Sequence, residues 1–534
     1  MARRDAAQTR LSFTTSRVSF PVIRFPPSRL HLWFPSLGWL AALALTGFLS
    51  GCASVGPSSA PESRADEAAS CADYLDALDA AAANTGVTDV QAARVEGYPY
   101  LRVDRFLASF PPGTLDAKQF SEWLDRLQAL DDEGRQVETA NLPPSSRKQL
   151  AARFALGGDD AKSLSSRAAH CGRVLRGKLI DSVDLRYDLW TRAKVPDDYL
   201  DWERVLGLYP VAQIPFVFGV EGWQKTTLRE FAVPLDAIPA KGEPVRYVPP
   251  AAPILSPAAT AEQMKRWRDA HSLGIPEPTQ IDLDGLLRAY APVFVVDTAS
   301  GDDRIGAIAL NNSGESRVAT DDPVAYAYPS YMRWHDTVLL QLNYVIWFPA
   351  RPRTGTFDML GGHLDGITWR LTLAQDGSVL VADSVHNCGC YHLFFPSAGL
   401  RPVAYGASAE ERPFVPQILP ALGANERYAL RIQSGTHYVQ RIVAMRDVDG
   451  TAYRVSSYEA LRSLALDDQV HRSLFNSDGI VPGTERGERY FFWPMGVPDP
   501  GAMRQRGHHA TAFVGRRHFD DPWLIERSFV AVGQ

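Results

Sequence analysis

This chain lacks the features that would assign it quickly to a common class of protein. Beyond one segment near its start, it has no apolar run close to the roughly 18 residues that a membrane span requires. Its net charge is only −6 over 534 residues, which argues against nucleic acid as a partner. Motifs of the common enzyme classes are also missing, namely His-Glu-x-x-His, Gly-x-Ser-x-Gly, Gly-x-x-x-x-Gly-Lys and Gly-x-Gly-x-x-Gly. Metalloprotease, serine hydrolase, nucleoside triphosphatase and dinucleotide-binding assignments therefore lack support.

The one apolar run, from Leu37 to Leu49, follows an N-terminal stretch rich in arginine. An apolar core of roughly 7 to 15 residues after a basic region is typical of a secretory signal peptide. The run ends in Leu49, Ser50, Gly51 and Cys52. These four residues resemble the lipobox of bacterial lipoproteins, in which the signal peptide is cut before the cysteine and that cysteine is lipidated.

The lipobox resemblance implies a location for the protein. Residues 1–51 are then a signal peptide that is removed, and Cys52 carries a lipid that anchors the mature chain to a membrane. Ala53 stands where an aspartate would retain such a protein, a pattern similar to that of lipoproteins sent to the outer membrane. We therefore expect an envelope protein facing the periplasm or the cell surface. The alternative is a short membrane anchor or buried helix with a chance cysteine.

Cysteine is scarce, with five residues in the whole chain. If Cys52 is lipidated, four remain, and an even number in an exported protein suggests disulfides. Of the three possible pairings we predict a bridge between Cys71 and Cys171, with two buried free thiols as the alternative. Cys388 and Cys390 are then left to pair with each other or to bind a metal.

Composition changes along the chain and predicts an α+β fold. Residues 52–70, rich in Ser, Ala, Pro and acidic residues, predict a flexible tether. Residues 71–233 have apolar residues at helical spacing and predict a helical domain. The dense prolines at the start of residues 234–286 predict a linker with short helices and no central strand. Short β-branched and aromatic runs over 287–534 predict a larger, mostly antiparallel β-rich domain.

The densest group of reactive side chains lies in seven residues and consists of His386, Cys388, Cys390 and His392. Thiol and imidazole together suit zinc or copper. In an oxidising compartment the two thiols can instead form a disulfide, with a redox role. A third interpretation is that the cysteines are small buried residues and the histidines form local hydrogen bonds.

A hairpin connects this group with residues upstream. Asp376 and Gly377 between two strand-like runs are a strong signal for a two-residue turn. That turn would pair Ile367 with His386, Asp365 with Cys388, and His363 with Cys390. Because alternate residues of a strand share a face, all these side chains would project from the face that carries Ile367.

The resulting hypothesis is a metal site in the β-rich domain, with metal-assisted hydrolysis as its possible activity. Its ligands would be His363, His386, Cys388, Cys390 and His392. Asp365 would orient a ligand or act as a base, and His437 is a candidate ligand from another strand. His509 and His518 are further candidates near the C-terminus. The competing hypotheses are a non-catalytic structural or assembly lipoprotein with disulfides, and a thiol and disulfide redox protein.

Overall fold

The computed structural model describes residues 61–403, 410–446, 449–467 and 469–532. Helices dominate its first half and strands its second, which confirms the predicted α+β class. The helices are α1 (Pro61–Thr85), α2 (Arg105–Ala108), α3 (Ala117–Asn141), α4 (Pro144–Arg153), α5 (Ala161–Asp181), α6 (Val183–Arg192), α7 (Asp201–Leu206), α8 (Tyr209–Ala232), α9 (Pro257–Asp269), α10 (Gln280–Ala289), α11 (Arg489–Phe492) and α12 (Leu524–Ser528). Within the described ranges, no helix combines the length and the apolar character needed to cross a membrane.

The strands follow the same chain order. They are β1 (Ala93–Val95), β2 (Tyr98–Val103), β3 (Glu243–Val248), β4 (Val293–Thr298), β5 (Ala307–Leu310), β6 (Ser316–Ala319), β7 (Val324–Trp334), β8 (Thr337–Arg351), β9 (Gly362–Leu373), β10 (Val379–His386), β11 (Leu393–Pro396), β12 (Leu400–Pro402), β13 (Glu426–Ile432), β14 (Val439–Arg446), β15 (Thr451–Ala452), β16 (Arg454–Ser457), β17 (Leu464–Ala465), β18 (His471–Arg472) and β19 (Phe529–Ala531). Most neighbouring pairs are antiparallel, as predicted for the β-rich part.

Helix α1 begins within the segment that was expected to be a flexible tether. Residues 61–70 are helical, so the tether prediction fails for them. The stretch contains alanine and glutamate, which favour helix, and Glu67 lies 3.0 Å from His170 of α5. The predicted signal peptide, the lipobox and residues 52–60 lie outside the described residues.

The predicted disulfide is present between Cys71 of α1 and Cys171 of α5. Their α-carbons lie 4.9 Å apart, within the usual range for a disulfide. Cys388 and Cys390 are both free. The bridge therefore joins two helices of the first half and leaves the second cysteine pair unbridged.

Buried ion pairs hold the helical part together and join it to the second half. Arg102 of β2 is fully buried and contacts Asp89, Asp131 and Glu138. The hairpin of β1 and β2 that carries it was not predicted from the helical spacing. Arg462, from the second half of the chain, reaches the same Asp89 at 2.7 Å. The described residues, from 61 onward, accordingly belong to one compact unit.

Two sheets enclose the largest apolar core. One has the strand order β11-β10-β9-β8-β7-β16 and the other the order β14-β13-β4-β3-β15. Ile346, Trp369 and Ala382 of the first sheet pack in one cluster with Phe294 and Leu430 of the second. This dry core fixes the orientation of both sheets.

Strand β3 lies in the region predicted as a linker without a central strand. It pairs with β4 along its length, including Pro244 opposite Asp297. On its other side, the two-residue strand β15 pairs only with Tyr247 and Val248. Most of β3 is thus an edge, and an edge tolerates a proline because the missing N–H has no partner to serve.

The six-stranded sheet has a polar second face. Along β8, for example, Leu340 and Leu342 enter the apolar core, whereas Gln341 and Asn343 point away from it. The buried polar residues of this second face are Gln341, Asn343, Thr368, Arg370, Thr372 and Asp383. One sheet therefore supplies both a hydrophobic core and a polar wall.

The hairpin of β9 and β10 reaches the predicted register by a different route. Its loop contains three residues, 375–377, and not two. Gly377 takes a positive φ of 77°, a conformation that glycine adopts without strain. A bulge at Leu380 then compensates for the extra loop residue and restores the predicted pairing of His386 with Ile367.

A Cys52→Ala chain tests the pairing of the other cysteines. Denatured without reductant, it should react with a thiol reagent at two positions, Cys388 and Cys390, and after reduction at four. Replacing Cys71 and Cys171 together by alanine should lower the free energy of unfolding by up to about 4.7 kcal/mol, because the bridge closes a loop of 100 residues. Four reactive thiols before reduction would contradict the bridge.

Candidate functional site

Asp365 and His386 come together at the end of the hairpin, as the register predicts. The Asp365 Oδ1 atom lies 3.4 Å from Nδ1 of His386. Its Oδ2 atom accepts a hydrogen bond of 2.8 Å from Nδ1 of His437, which follows β13. His437, the candidate from another strand, thus contacts the same carboxylate as His386.

A second carboxylate extends this row of groups. Nε2 of His437 lies 3.4 Å from Oδ1 of Asp303. Backbone N–H groups of Ala299, Ser300 and Gly435 donate to the Asp303 carboxylate. We call the row Asp303, His437, Asp365 and His386 the relay. Its members alternate between carboxylate and imidazole.

The surroundings of the relay set its protonation. Burial opposes charge on His437, but the nearby carboxylates of Asp303 and Asp365 outweigh burial and raise its pKa. Burial would raise the pKa of Asp365, but His386, His437 and the Arg486 charge hold it well below the usual range. Burial lowers the pKa of His386. A charged His437 between two carboxylates and a neutral His386 follow from these shifts.

His386 exposes one unused nitrogen to a small cavity. Because an ionised Asp365 can only accept, Nδ1 of His386 carries the proton and Nε2 is left as an acceptor. That Nε2 atom is buried and has no hydrogen-bond partner. His386 lines a cavity of about 10 Å³, enclosed partly by Trp223 of α8 and by Tyr391 and Tyr438. This volume holds about one water molecule.

Cys388 and Cys390 do not continue the strand as the register predicts. β10 ends at His386, and the next residues turn, with Gly389 N donating to the carbonyl oxygen of His386. The reason is Asn387, whose side chain packs so closely over Gly366 that a Cβ atom there would lie 2.1 Å from its Nδ2. The predicted pairing of Asp365 with Cys388 and of His363 with Cys390 is therefore wrong.

The two thiols contact each other within this turn. Their hydrogen bond lowers the pKa of Cys388 and, together with burial, raises that of Cys390 well above the usual range. Cys388 therefore loses its proton more readily than Cys390 does. The thiol pair is separate from the relay.

His363 and His392 also lie apart from the relay. His363 is exposed and its Nε2 lies 3.2 Å from Oγ of Ser316. His392 contacts Asp383 on the polar side of the sheet at 2.8 Å, and burial lowers its pKa to about 4. The five predicted metal ligands are consequently divided among four separate surroundings.

The two C-terminal histidines have local partners. Nε2 of His509 donates to the carbonyl oxygen of Asn387, and burial lowers the pKa of His509 to about 3. His518 lies 3.1 Å from Asp197. Throughout the described ranges, no group of three or more His, Cys, Asp or Glu side chains is placed to hold a metal ion.

A much larger cavity lies on the polar side of the six-stranded sheet. Its volume is about 1360 Å³, above the range of about 300 to 1,000 Å³ that is common for small-molecule sites. Tyr328, Ser330, Gln341, Asn343 and Arg370 form its floor. Helices α2, α3 and α10 and the chain from 506 to 520 supply other parts of its wall. Residues distant in sequence thus enclose one polar space.

Arg105 holds two carboxylates at the wall. Its Nη2 lies 2.6 Å from Asp198 and its Nε lies 3.2 Å from Asp520. Burial raises the pKa of Asp520. Burial acts in the same direction on Asp198, but the hydrogen bond and charge of His508 and the charge of Arg105 lower its pKa to about 2. Two neighbouring carboxyl groups therefore differ in how readily they hold a proton.

A second carboxyl pair, Glu133 and Glu459, lines the same cavity. Arg462 contacts both of these side chains. Burial and the charge of Glu459 raise the pKa of Glu133, whereas the charges of Arg506 and Arg462 outweigh burial and lower that of Glu459. Glu133 therefore takes up a proton more readily than Glu459 does.

Some polar atoms of the cavity lining have no protein partner. Oδ1 of Asn343, a fully buried side chain, accepts no hydrogen bond, and neither does Oε1 of Gln91. Nε of Arg506 donates none. The lining of the cavity thus has unused hydrogen-bonding capacity just beneath its surface.

The sequence contained only a partial signal for this cavity. The polar residues near the C-terminus, which include His508 and Asp520, stand out, but Asp520 and Asp521 read as the cap of the following helix. The structure divides these tasks, because Asp521 accepts from the N–H of Trp523 and Asp520 lines the cavity. Residues such as Asp198 carry no pattern that distinguishes them from surface acids.

Replacing His437 tests the relay. His437→Asn should lower the free energy of unfolding by about 3 to 5 kcal/mol, because it leaves buried carboxylates without their charged partner. The matched change His363→Asn at the exposed position should alter it by less than about 0.5 kcal/mol. Urea unfolding of both variants provides the measurement.

The same comparison has a pH dependence with a defined sign. The raised pKa of His437 stabilises the fold below the usual histidine value of 6.5 and is lost as pH rises. The lowered pKa of Asp365 stabilises it above the usual aspartate value of 3.8 and is lost as pH falls. The difference between wild type and His437→Asn should be largest between these values. Equal stability of the two proteins there would contradict the relay.

No protein-family model, curated protein or solved structure matches this chain. Its function therefore has to be inferred from its own side chains. Within the described residues, the relay, the large cavity and the thiol pair of Cys388 and Cys390 each offer a chemical role.

Proposed function

We propose that this protein is an envelope lipoprotein, acylated at Cys52, whose large cavity binds a polar, uncharged ligand of the oligosaccharide class. The observation that carries the ligand proposal is the cavity of about 1360 Å³ with its hydrogen-bonding floor. The lipobox resemblance of Leu49, Ser50, Gly51 and Cys52 supports the anchor. Both parts together describe a protein that meets its ligand outside the cytoplasm.

The charges of the cavity favour an uncharged ligand. Arg105 is paired with Asp198 and Asp520. Arg370, on the floor, forms two hydrogen bonds with the Asp383 carboxylate. A charged ligand would have to compete with these internal pairs, whereas hydroxyl groups can use the remaining donors and acceptors. The partly exposed ring of Tyr331 adds apolar area against which a sugar face can pack.

Hydrolysis of a glycosidic bond is a second candidate function. The specific observation is the difference in pKa between Asp520, where it is raised, and Asp198, where it is about 2. Asp520 would give its proton to the leaving oxygen, and the Asp198 carboxylate would take a proton from water as the water oxygen bonds to the sugar carbon. Donor and base are then regenerated by one proton transfer.

The structure gives less support to the metal hypothesis than to the redox hypothesis. The proposed zinc or copper ligands do not converge, so we derive no step through a metal. The redox hypothesis for Cys388 and Cys390 stays a prediction, supported by the direct contact of their thiols. Neither the candidate metal ligands nor the two thiols line the large cavity.

Ligand binding can be tested with defined sugars. Oligomers of two to four glucose or N-acetylglucosamine units should bind in calorimetry and raise the melting temperature. At a ligand concentration 100-fold above Kd, the free energy of unfolding should rise by about 2.7 kcal/mol. Asn343→Leu should weaken this binding at least tenfold, since it removes the amide that donates to the Ser330 hydroxyl on the floor. No stabilisation by any of these oligomers would contradict the proposed ligand class.

Hydrolysis has its own comparison within the same assay. Asp520→Asn should slow product formation by roughly 10² to 10⁴ while binding persists. The neighbouring change Asp521→Asn, at a residue that caps a turn, should leave the rate near that of wild type. Because Asp520 must be protonated to act, the rate should fall as pH rises through its raised pKa. Equal rates for both variants would exclude Asp520 as the proton donor.

The anchor is tested separately by intact mass. The mature protein from a membrane fraction should begin at Cys52 and carry the mass of acyl chains, and Cys52→Ala should be neither cleaved there nor acylated. An unmodified Cys52 in membrane-bound protein would contradict the lipoprotein assignment. The sugar-binding result does not depend on this outcome.

A further inference from the structure

The first half of α8 is apolar on all sides and yet is not buried. Residues 209–220 contain no charged side chain, and none of them is buried by the rest of the described protein. Val211, Ile214 and Phe218 are more than half exposed. A helix that is hydrophobic all round is normally enclosed by protein or by lipid. This half-helix therefore lacks its natural surroundings.

Neighbouring elements extend the same surface. Trp202 and Leu206 of α7 and Phe491 of α11 are also more than half exposed. Close contacts hold these elements together, including the rings of Phe216 and Phe492, whose centroids lie 4.9 Å apart. We call the exposed residues Trp202, Leu206, Val211, Ile214, Phe218 and Phe491 the apolar surface. Soluble proteins seldom leave such a patch open without a binding role.

The chain before the described residues indicates what covers this surface. Only nine residue steps separate Cys52 from Pro61, where α1 begins. A fully extended chain of that length spans roughly 30 Å. An acylated Cys52 would thus keep the folded body beside the bilayer continuously. Tryptophan and tyrosine at such a surface, here Trp202 and Tyr209, are typical of the interface between membrane and water.

We propose that the apolar surface inserts into the outer part of the lipid bilayer to which Cys52 is anchored. Val211, Ile214 and Phe218 enter the acyl-chain boundary, and Lys225 and Arg229, farther along α8, remain among the headgroups. The inference rests on the proposed acylation of Cys52, because the anchor is what selects lipid over another protein. The folded body would then contact the bilayer directly, in addition to its attachment through the lipid on Cys52.

Quenching of tryptophan fluorescence by brominated lipid tests this insertion. The full acylated protein is reconstituted into vesicles of phosphatidylethanolamine and phosphatidylglycerol, with or without bromine on the acyl chains. Trp202 belongs to the surface and Trp493 lies beside it, so about one fifth of the emission of the ten tryptophans that follow Cys52 should be quenched. The double change Val211→Asp and Ile214→Asp should remove most of this quenching.

A matched control uses the same residue types elsewhere. Ile281→Asp with Val532→Asp replaces one exposed isoleucine and one exposed valine on α10 and after β19, and should leave the quenching intact. Equal quenching in both double variants, or none in the wild type, would overturn the insertion. So would a dimer, seen by light scattering, that Val211→Asp with Ile214→Asp dissociates without any lipid quenching.

The mass of Cys52, measured on the same samples, separates the two proposals. Acylated protein without quenching would refute the insertion and leave the anchor standing. Quenching of protein that is not acylated, after addition of the same vesicles, would support the insertion and refute the anchor.

Discussion

The alternation of side chains along β8, β9 and β10 is the constraint on which both candidate sites depend. Residues of one parity enter the dry core between the sheets, so residues of the other parity face the opposite side. There the sheet carries buried amide, hydroxyl and guanidinium groups beside apolar residues such as Val345 and Val381. The relay grows from the edge of the apolar face, where the core ends at Ile367. The large cavity occupies the polar face.

Buried ion pairs make the two halves of the chain depend on each other. Asp89 accepts from Arg102 within the helical part and from Arg462 of the later part. Removing any one of these groups would leave a less well compensated charge on side chains that are almost fully buried. The walls of the cavity are thus fixed by contacts between segments more than 300 residues apart in sequence. A polar cavity of this size would otherwise collapse or open.

Local rules of the sequence predicted the features that depend on neighbours along one hairpin or on export. The α+β class, the bridge from Cys71 and the pairing of His386 with Ile367 follow from periodicity, compartment and turn chemistry. The prediction failed at Cys388 because Asn387 folds over Gly366 and ends the strand, a packing choice that spacing does not encode. The cavity could not be predicted because its carboxylates come from distant segments and are brought together by Arg105 and Arg462.

Helix α8 has one further consequence, which concerns mechanics. Its 24 residues extend about 36 Å, and its later turns place Trp223 and Thr227 beside His386. Pro215 interrupts the helix between its exposed start and these turns, since it has no N–H to donate to the carbonyl of Val211. A displacement of the first turn can therefore be absorbed as a local bend. A bend at Pro215 would therefore limit how far a movement of the outer end of the helix displaces the residues around His386.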